Sequence, residues 1–121
     1  MSRIRVLLVG AVAALVAAAP TTAGPSMAPA KLNGSVGPGF TIFLKKGSAP
    51  VRTLKAGRYT ITVSDKSNIH DFHLKGPGVN RVITGTPFKG TKSVTVTLKK
   101  GTYTYVCDPH ASTMKKTFRV T

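Results

Sequence analysis

The sequence predicts an all-β protein, an antiparallel Greek-key β-sandwich of seven to eight strands. Three observations lead there. Beyond residue 30, apolar and polar residues alternate with period two in short runs. Those runs are separated by Gly-Pro-Gly and Lys-Gly turns, with no stretch of amphipathic helical spacing. A heptapeptide pattern, Leu-Lys-x-Gly-x-Tyr-Thr, occurs at Leu54–Thr60 and again at Leu98–Thr104, each time opening a strand. A tyrosine just past such a turn can bond its hydroxyl back to upstream backbone, the corner device of Greek-key sandwiches.

The elements follow in order. Lys31 to Val36 reads as a first strand, and Gly37-Pro38-Gly39 breaks it. Phe40 to Leu44 reads as the second strand, and Lys45 to Pro50 as a turn. Tyr59, Ile61 and Val63 alternate with Thr60 and Thr62, so one face of that strand is apolar and the other hydroxylated. Ile69 to Leu74 is the next run, then the Gly76-Pro77-Gly78 turn, Val79 to Ile83, and a loop around Pro87 to Gly90. Val94, Val96 and Leu98 alternate with threonines. Tyr103, Tyr105 and Cys107 share one face of the penultimate strand, and Thr117 to Thr121 closes the fold with Phe118 and Val120 inward.

The first thirty of the 121 residues do not belong to this pattern. Arg3 and Arg5 are followed by an apolar stretch, Val6 to Ala19, and then by small residues and prolines. That is the layout of a secretory leader, and the apolar run is short for a membrane-spanning helix. Cleavage sites are Thr21-Thr22-Ala23 before Gly24 and Ala28-Pro29-Ala30 before Lys31; Pro20 disfavours a cut after Ala19. The expected organisation is a signal peptide over residues 1–23, ending as late as 30, and one domain over 24–121, exported to the periplasm or the exterior. An uncleaved leader would instead hold the domain at the outer membrane face. After leader removal no transmembrane segment is expected.

Composition narrows the chemistry. The chain carries +15, and still +13 once Arg3 and Arg5 are gone; its only acids are Asp65, Asp71 and Asp108. Such a field steers acidic partners or anionic surfaces toward the protein, and equally it discourages edge-to-edge association of strands. A monomer is expected. Basic residues are not interleaved with aromatics as in stacking nucleic-acid binders, so specific nucleic-acid recognition is not expected. Cys107 is the sole cysteine and cannot pair within the chain. In an exported domain a lone thiol calls for an explanation, and metal ligation supplies one.

Candidate ligands surround that cysteine. His110 and Met114 follow it in Cys107-Asp108-Pro109-His110-Ala111-Ser112-Thr113-Met114, a loop stiffened by Pro109. The remaining histidines, His70 and His73, lie in another strand-like run. Three apart on an extended strand, they face opposite ways, so one of the two is expected to join the site. One thiolate, two imidazoles and a weak thioether together match a mononuclear electron-transfer copper site.

These residues carry a family resemblance. Residues 31 to 121 resemble a cupredoxin, the plastocyanin/azurin/amicyanin type of small blue copper protein. The loop is similar to that family's Cys-x-x-His-x(n)-Met ligand loop. The run Ile69-His70-Asp71-Phe72-His73-Leu74 resembles its His-Asn-x-x-Phe/Leu run, whose first histidine is the ligand. The resemblance implies one copper held by His70, Cys107, His110 and Met114, with His73 structural or at the surface. It also implies that the His110 ring edge reaches the surface, with Pro38, Pro109 and Ala111 around it. Asp71 stands where the family usually has Asn, which ties the ligand strand to the cysteine loop. Asp accepts such bonds but lacks the amide donor, and Asp65 or Asn68 could take its place.

The expected function is one-electron transfer by Cu(I)/Cu(II) cycling with an acidic redox partner protein. The alternative is an exported copper carrier or scavenger without a shuttling role. Enzymatic readings are poorer. A Cys107–His110 thiol nucleophile lacks a third catalytic group, a zinc site of one cysteine and two histidines leaves Met114 unused, and multinuclear copper chemistry needs more ligands.

Overall fold

In the computed structural model, Gly10 and residues 28–121 are described. The signal-peptide expectation for residues 1–23 lies, Gly10 apart, outside them. Among the described residues no helix is long and apolar enough to cross a membrane.

Among the described residues, ten strands form two five-stranded sheets. The first sheet takes β1 (Ala30–Val36), β2 (Ile42–Lys46), β3 (Ala49–Pro50), β5 (Gly57–Asp65) and β8 (Gly90–Leu98), in the order β3-β2-β1-β5-β8. The second takes β4 (Thr53–Leu54), β6 (Phe72–Gly76), β7 (Val79–Thr84), β9 (Gly101–Val106) and β10 (Lys115–Val120), in the order β4-β10-β9-β6-β7. Eight strands have five or more residues, and β3 and β4 are two-residue additions at sheet edges.

Period-two alternation decides which side chains meet. Along β5 the buried positions are Tyr59, Ile61, Val63 and Asp65, while Thr60, Thr62 and Ser64 point away from the core. Leu32, Leu44, Ile61, Val63, Val96 and Leu98 of the first sheet face Phe72, Leu74, Tyr103, Tyr105, Phe118 and Val120 of the second. Phe72 stacks on Tyr105 at 5.4 Å and Tyr103 on Phe118 at 5.3 Å, so aromatic pairs fill the second sheet's inner face.

Strand directions are mixed. Six pairings are antiparallel, whereas β1–β5 and β4–β10 run parallel. After the β2–β3 hairpin the chain crosses to the other sheet through β4. It returns on the far side of β1, which makes β5 run the same way as β1.

Both tyrosine corners form. Tyr59 donates to the Lys55 carbonyl at 2.6 Å. The Tyr103 hydroxyl accepts the Lys99 N–H at 2.8 Å, with the Lys99 carbonyl at 2.9 Å. Each tyrosine therefore closes on the residue four positions upstream.

Ala49–Pro50, expected in a turn, pairs as β3, and the last strand starts at Lys115 rather than Thr117; two further differences bear on the site. Phe40 does not enter the second strand: the Gly37–Gly39 turn extends past it, and β2 starts at Ile42. The run Ile69–Leu74 is not one strand either. β6 begins only at Phe72, so His70 sits in the preceding loop and His73 on the strand. The two histidines therefore do not oppose each other along one strand. A loop conformation, not strand alternation, aims His70.

Candidate metal centre

Three chain segments meet at one end of the sandwich: the Gly37–Thr41 turn, the loop before β6, and the loop joining β9 to β10. The last is closed by its own backbone. Cys107 N–H donates to the Met114 carbonyl at 2.9 Å, His110 N–H to the Cys107 carbonyl at 3.0 Å, and Met114 N–H to the His110 carbonyl at 2.8 Å. Asp108–His110 is a single 3₁₀ turn with Pro109 inside it, where the missing N–H costs nothing. The ends of the eight-residue loop are thus pinned together, and His110 is carried back over Cys107.

Cys107, His70 and Met114 are fully or almost fully buried, and His110 is half-buried. His70 Nδ1 and His110 Nδ1 stand 3.1 Å apart, and Cys107 Sγ lies 3.6 and 3.5 Å from them. A point about 2 Å from all three atoms satisfies metal–nitrogen and metal–sulfur bonds of about 2.0–2.3 Å. One thiolate and two imidazoles are the donor set of a trigonal copper site. Met114 is 0 % exposed and belongs to the same buried cluster as Cys107, where a thioether can act as the weak fourth donor. The residues present fit copper.

The donor atoms are prepared for that role. His70 Nε2–H donates to the Gly39 carbonyl at 2.7 Å, which fixes the tautomer and turns the Nδ1 lone pair toward Cys107 and His110. Burial pushes the Cys107 thiol up, while the nearby backbone N–H groups of Asp71 and His110 pull the other way by favouring the thiolate. A metal ion held here by His70, Cys107 and His110 would favour the thiolate over the thiol.

His73 is on the outer side. Its Nδ1 pairs with Asp108 Oδ2 at 2.7 Å and its Nε2 with Asn80 Oδ1, so both ring nitrogens are occupied. The tie expected of the Asn position is made by Asp71: the Asp108 N–H donates to its Oδ1 at 2.6 Å. Burial, reinforced by the Asp108 carboxyl, pushes Asp71 up to about 6. Partial burial also works against the Asp108 charge, but hydrogen bonds with Asp71 and His73 and the nearby Lys75 ammonium outweigh it and hold Asp108 low. Asp65 does not replace this tie; its Oδ1 accepts the Ser67 N–H at 3.1 Å within its own turn.

Two features of the site escaped sequence reasoning: the Gly39 carbonyl and the Phe40 ring, which packs on both imidazoles. The Gly-Pro-Gly break was visible, but what it turns toward depends on the loop before β6.

Residues 51–121 match the family described as copper binding proteins, plastocyanin/azurin family. Among solved structures, reduced rusticyanin is 23% identical, with 75% of this chain and 78% of that one covered and a TM-score of 0.55. A mutant of amicyanin in its reduced form is 21% identical, with 79% and 87% covered and a TM-score of 0.50. A chain of a heme-copper terminal oxidase is 17% identical, with 75% and 63% covered and a TM-score of 0.52. At these identities the likeness speaks to the fold. No curated protein sequence matches the chain.

Proposed function

Since this chain belongs to the plastocyanin/azurin family of copper-binding proteins and is a cupredoxin, we propose that it is an exported one-electron carrier whose copper is held by His70, Cys107, His110 and Met114. The convergence of Cys107 Sγ with the two Nδ1 atoms, all within 3.1–3.6 Å of one another, carries this reading. Bound there, copper supplies one-electron chemistry by alternating between Cu(I) and Cu(II).

The chain's own residues make that exchange fast. The loop closed from Cys107 to Met114 and the Gly39 bond to His70 fix the donors, so little rearrangement accompanies a change of charge. Burial of Cys107, His70 and Met114 keeps water from the donors. Met114, buried in the same cluster as Cys107, would supply a weak thioether donor that tunes the potential. The half-buried His110 offers the way in and out. Pro38, Pro109 and Ala111 are exposed at the same end, together with Phe40 and Ile69. A small apolar patch of this kind suits brief, weak encounters, and the positive charge raises the encounter rate with an acidic redox partner.

The test is the visible absorption spectrum of the purified domain after Cu(II) is added. An intense blue thiolate-to-copper band is expected, followed by reversible bleaching with a one-electron reductant. A colourless protein that binds copper and readily gives it up would instead favour the carrier reading. Absence of binding would return Cys107 and the histidines to the core.

A further inference from the structure

Phe40 is 60% exposed, yet its ring is committed to two contacts. It stands edge-on to His70 at 5.5 Å and 69°, and edge-on to His110 at 4.9 Å and 79°. The two imidazoles are themselves edge-on at 4.8 Å and 75°. Three rings thus lean on one another, and only Phe40 has no polar atom with which to ligate or hydrogen-bond. Its contribution is geometric.

The turn that carries it is closely determined. Gly37 and Gly39 have φ of 68° and 75°, the left-handed region that a side chain disfavours. A Cβ on Gly37 would lie 3.1 Å from Ser67 Cβ and 3.3 Å from His70 Cδ2. Gly37 N–H donates to the Thr41 carbonyl at 2.9 Å, closing the turn around Phe40. The Gly39 carbonyl, one residue before Phe40, accepts from His70 Nε2. One short turn therefore sets the tautomer of one histidine and presses a ring on both. It lies N-terminal to residues 51–121, the part of the chain that matches the family.

The geometry points to Phe40 as a positioning residue for the metal centre: its ring holds the His70 and His110 imidazoles at ligating separation before the ion arrives, and so raises affinity for copper by preorganisation. His110 depends on it most, because it is half-buried and hangs on a loop, whereas His70 is also held by Gly39. Work done on the free chain need not be repeated at binding, and the gain appears as tighter binding and slower release. The inference rests on the reading of His70 and His110 as ligands.

The test compares the parent with Phe40→Ala, Phe40→Leu and Phe40→Tyr. Exposure of the ring means that all four chains should fold, and amide chemical-shift dispersion checks it. In the metal-free proteins, imidazole proton resonances of His70 and His110 should lose their ring-current dispersion in the Ala variant and keep it in the Tyr variant. In competition of Cu(II) between protein and a chelator, Ala and Leu should bind about tenfold more weakly than the parent, and Tyr as the parent does. Unchanged imidazole resonances and affinity in Phe40→Ala would overturn the proposal. So would full recovery by Phe40→Leu, since apolar cover alone would then suffice. If no variant, the parent included, binds Cu(II), the ligand reading fails; the metal-free imidazole resonances still decide the role of Phe40.

Discussion

Asp71 accepts the Asp108 backbone N–H at 2.6 Å, and this bond joins the two segments that bring the donor atoms together. Asp71 follows His70, and Asp108 follows Cys107. A second tie runs in parallel, from His73 Nδ1 to the Asp108 carboxylate. Asp108 thus fastens the cysteine loop to the histidine segment through both its backbone and its side chain. The amide donor that an asparagine would bring is not needed for the first of these ties.

Asp71→Ala should destabilise the domain by about 1–3 kcal/mol, because the Asp108 N–H loses its acceptor. Asp71→Asn keeps an acceptor and should cost less. The two also differ from the parent in pH dependence. Asp71 is pushed up to about 6 in the fold, above its unfolded value of about 3.9. Between these values the folded state binds more protons than the unfolded one, so parent stability falls as pH rises from about 4 to about 6 and then levels. Urea unfolding of the metal-free parent should show this loss, of the order of 3 kcal/mol; Asp71→Asn should lack it.

Cys107→Ala should abolish the visible band and leave a folded domain, with stability changed by about 1 kcal/mol through loss of a small buried group. Absorption and circular dichroism on one sample check both halves. A persisting band would remove the thiolate from the centre.

The two upstream histidines should separate cleanly. His70→Ala should lower copper affinity far more than His73→Ala, whose ring nitrogens are taken by Asp108 and Asn80. Loss of the His73 tie alone should weaken binding by no more than about tenfold. Titration with Cu(II) under chelator competition measures both, and the reverse order would reassign the ligand.

Met114→Leu should keep the copper and raise the reduction potential, because a weak donor to Cu(II) is lost from a buried position. Voltammetry reads the shift directly. An unchanged potential would place the thioether outside the coordination sphere.

Tyr103→Phe should leave the copper spectrum as it is and cost about 1–3 kcal/mol, since the Lys99 N–H and carbonyl both lose the hydroxyl. Tyr59→Phe removes a single bond to the Lys55 carbonyl and should cost about 1 kcal/mol. Urea midpoints at one pH compare the two corners.

Local spacing along the chain by itself determined the sandwich, its inward residues and both tyrosine corners. Alternation and a closing turn four residues upstream are short-range properties, and Ile61, Val63, Tyr103 and Phe118 obey them. Cys107, His110 and Met114 were legible as candidate ligands because they share one short loop. Only the tertiary structure decided where loop residues point. His70 turns inward from a loop that was read as strand, Phe40 leaves its strand to lean on two imidazoles, and Asp108 reaches across to Asp71 and His73. Such directions are set by contacts between segments about 30 to 70 residues apart, as in Gly39 with His70 and Phe40 with His110. No periodicity within one segment records them.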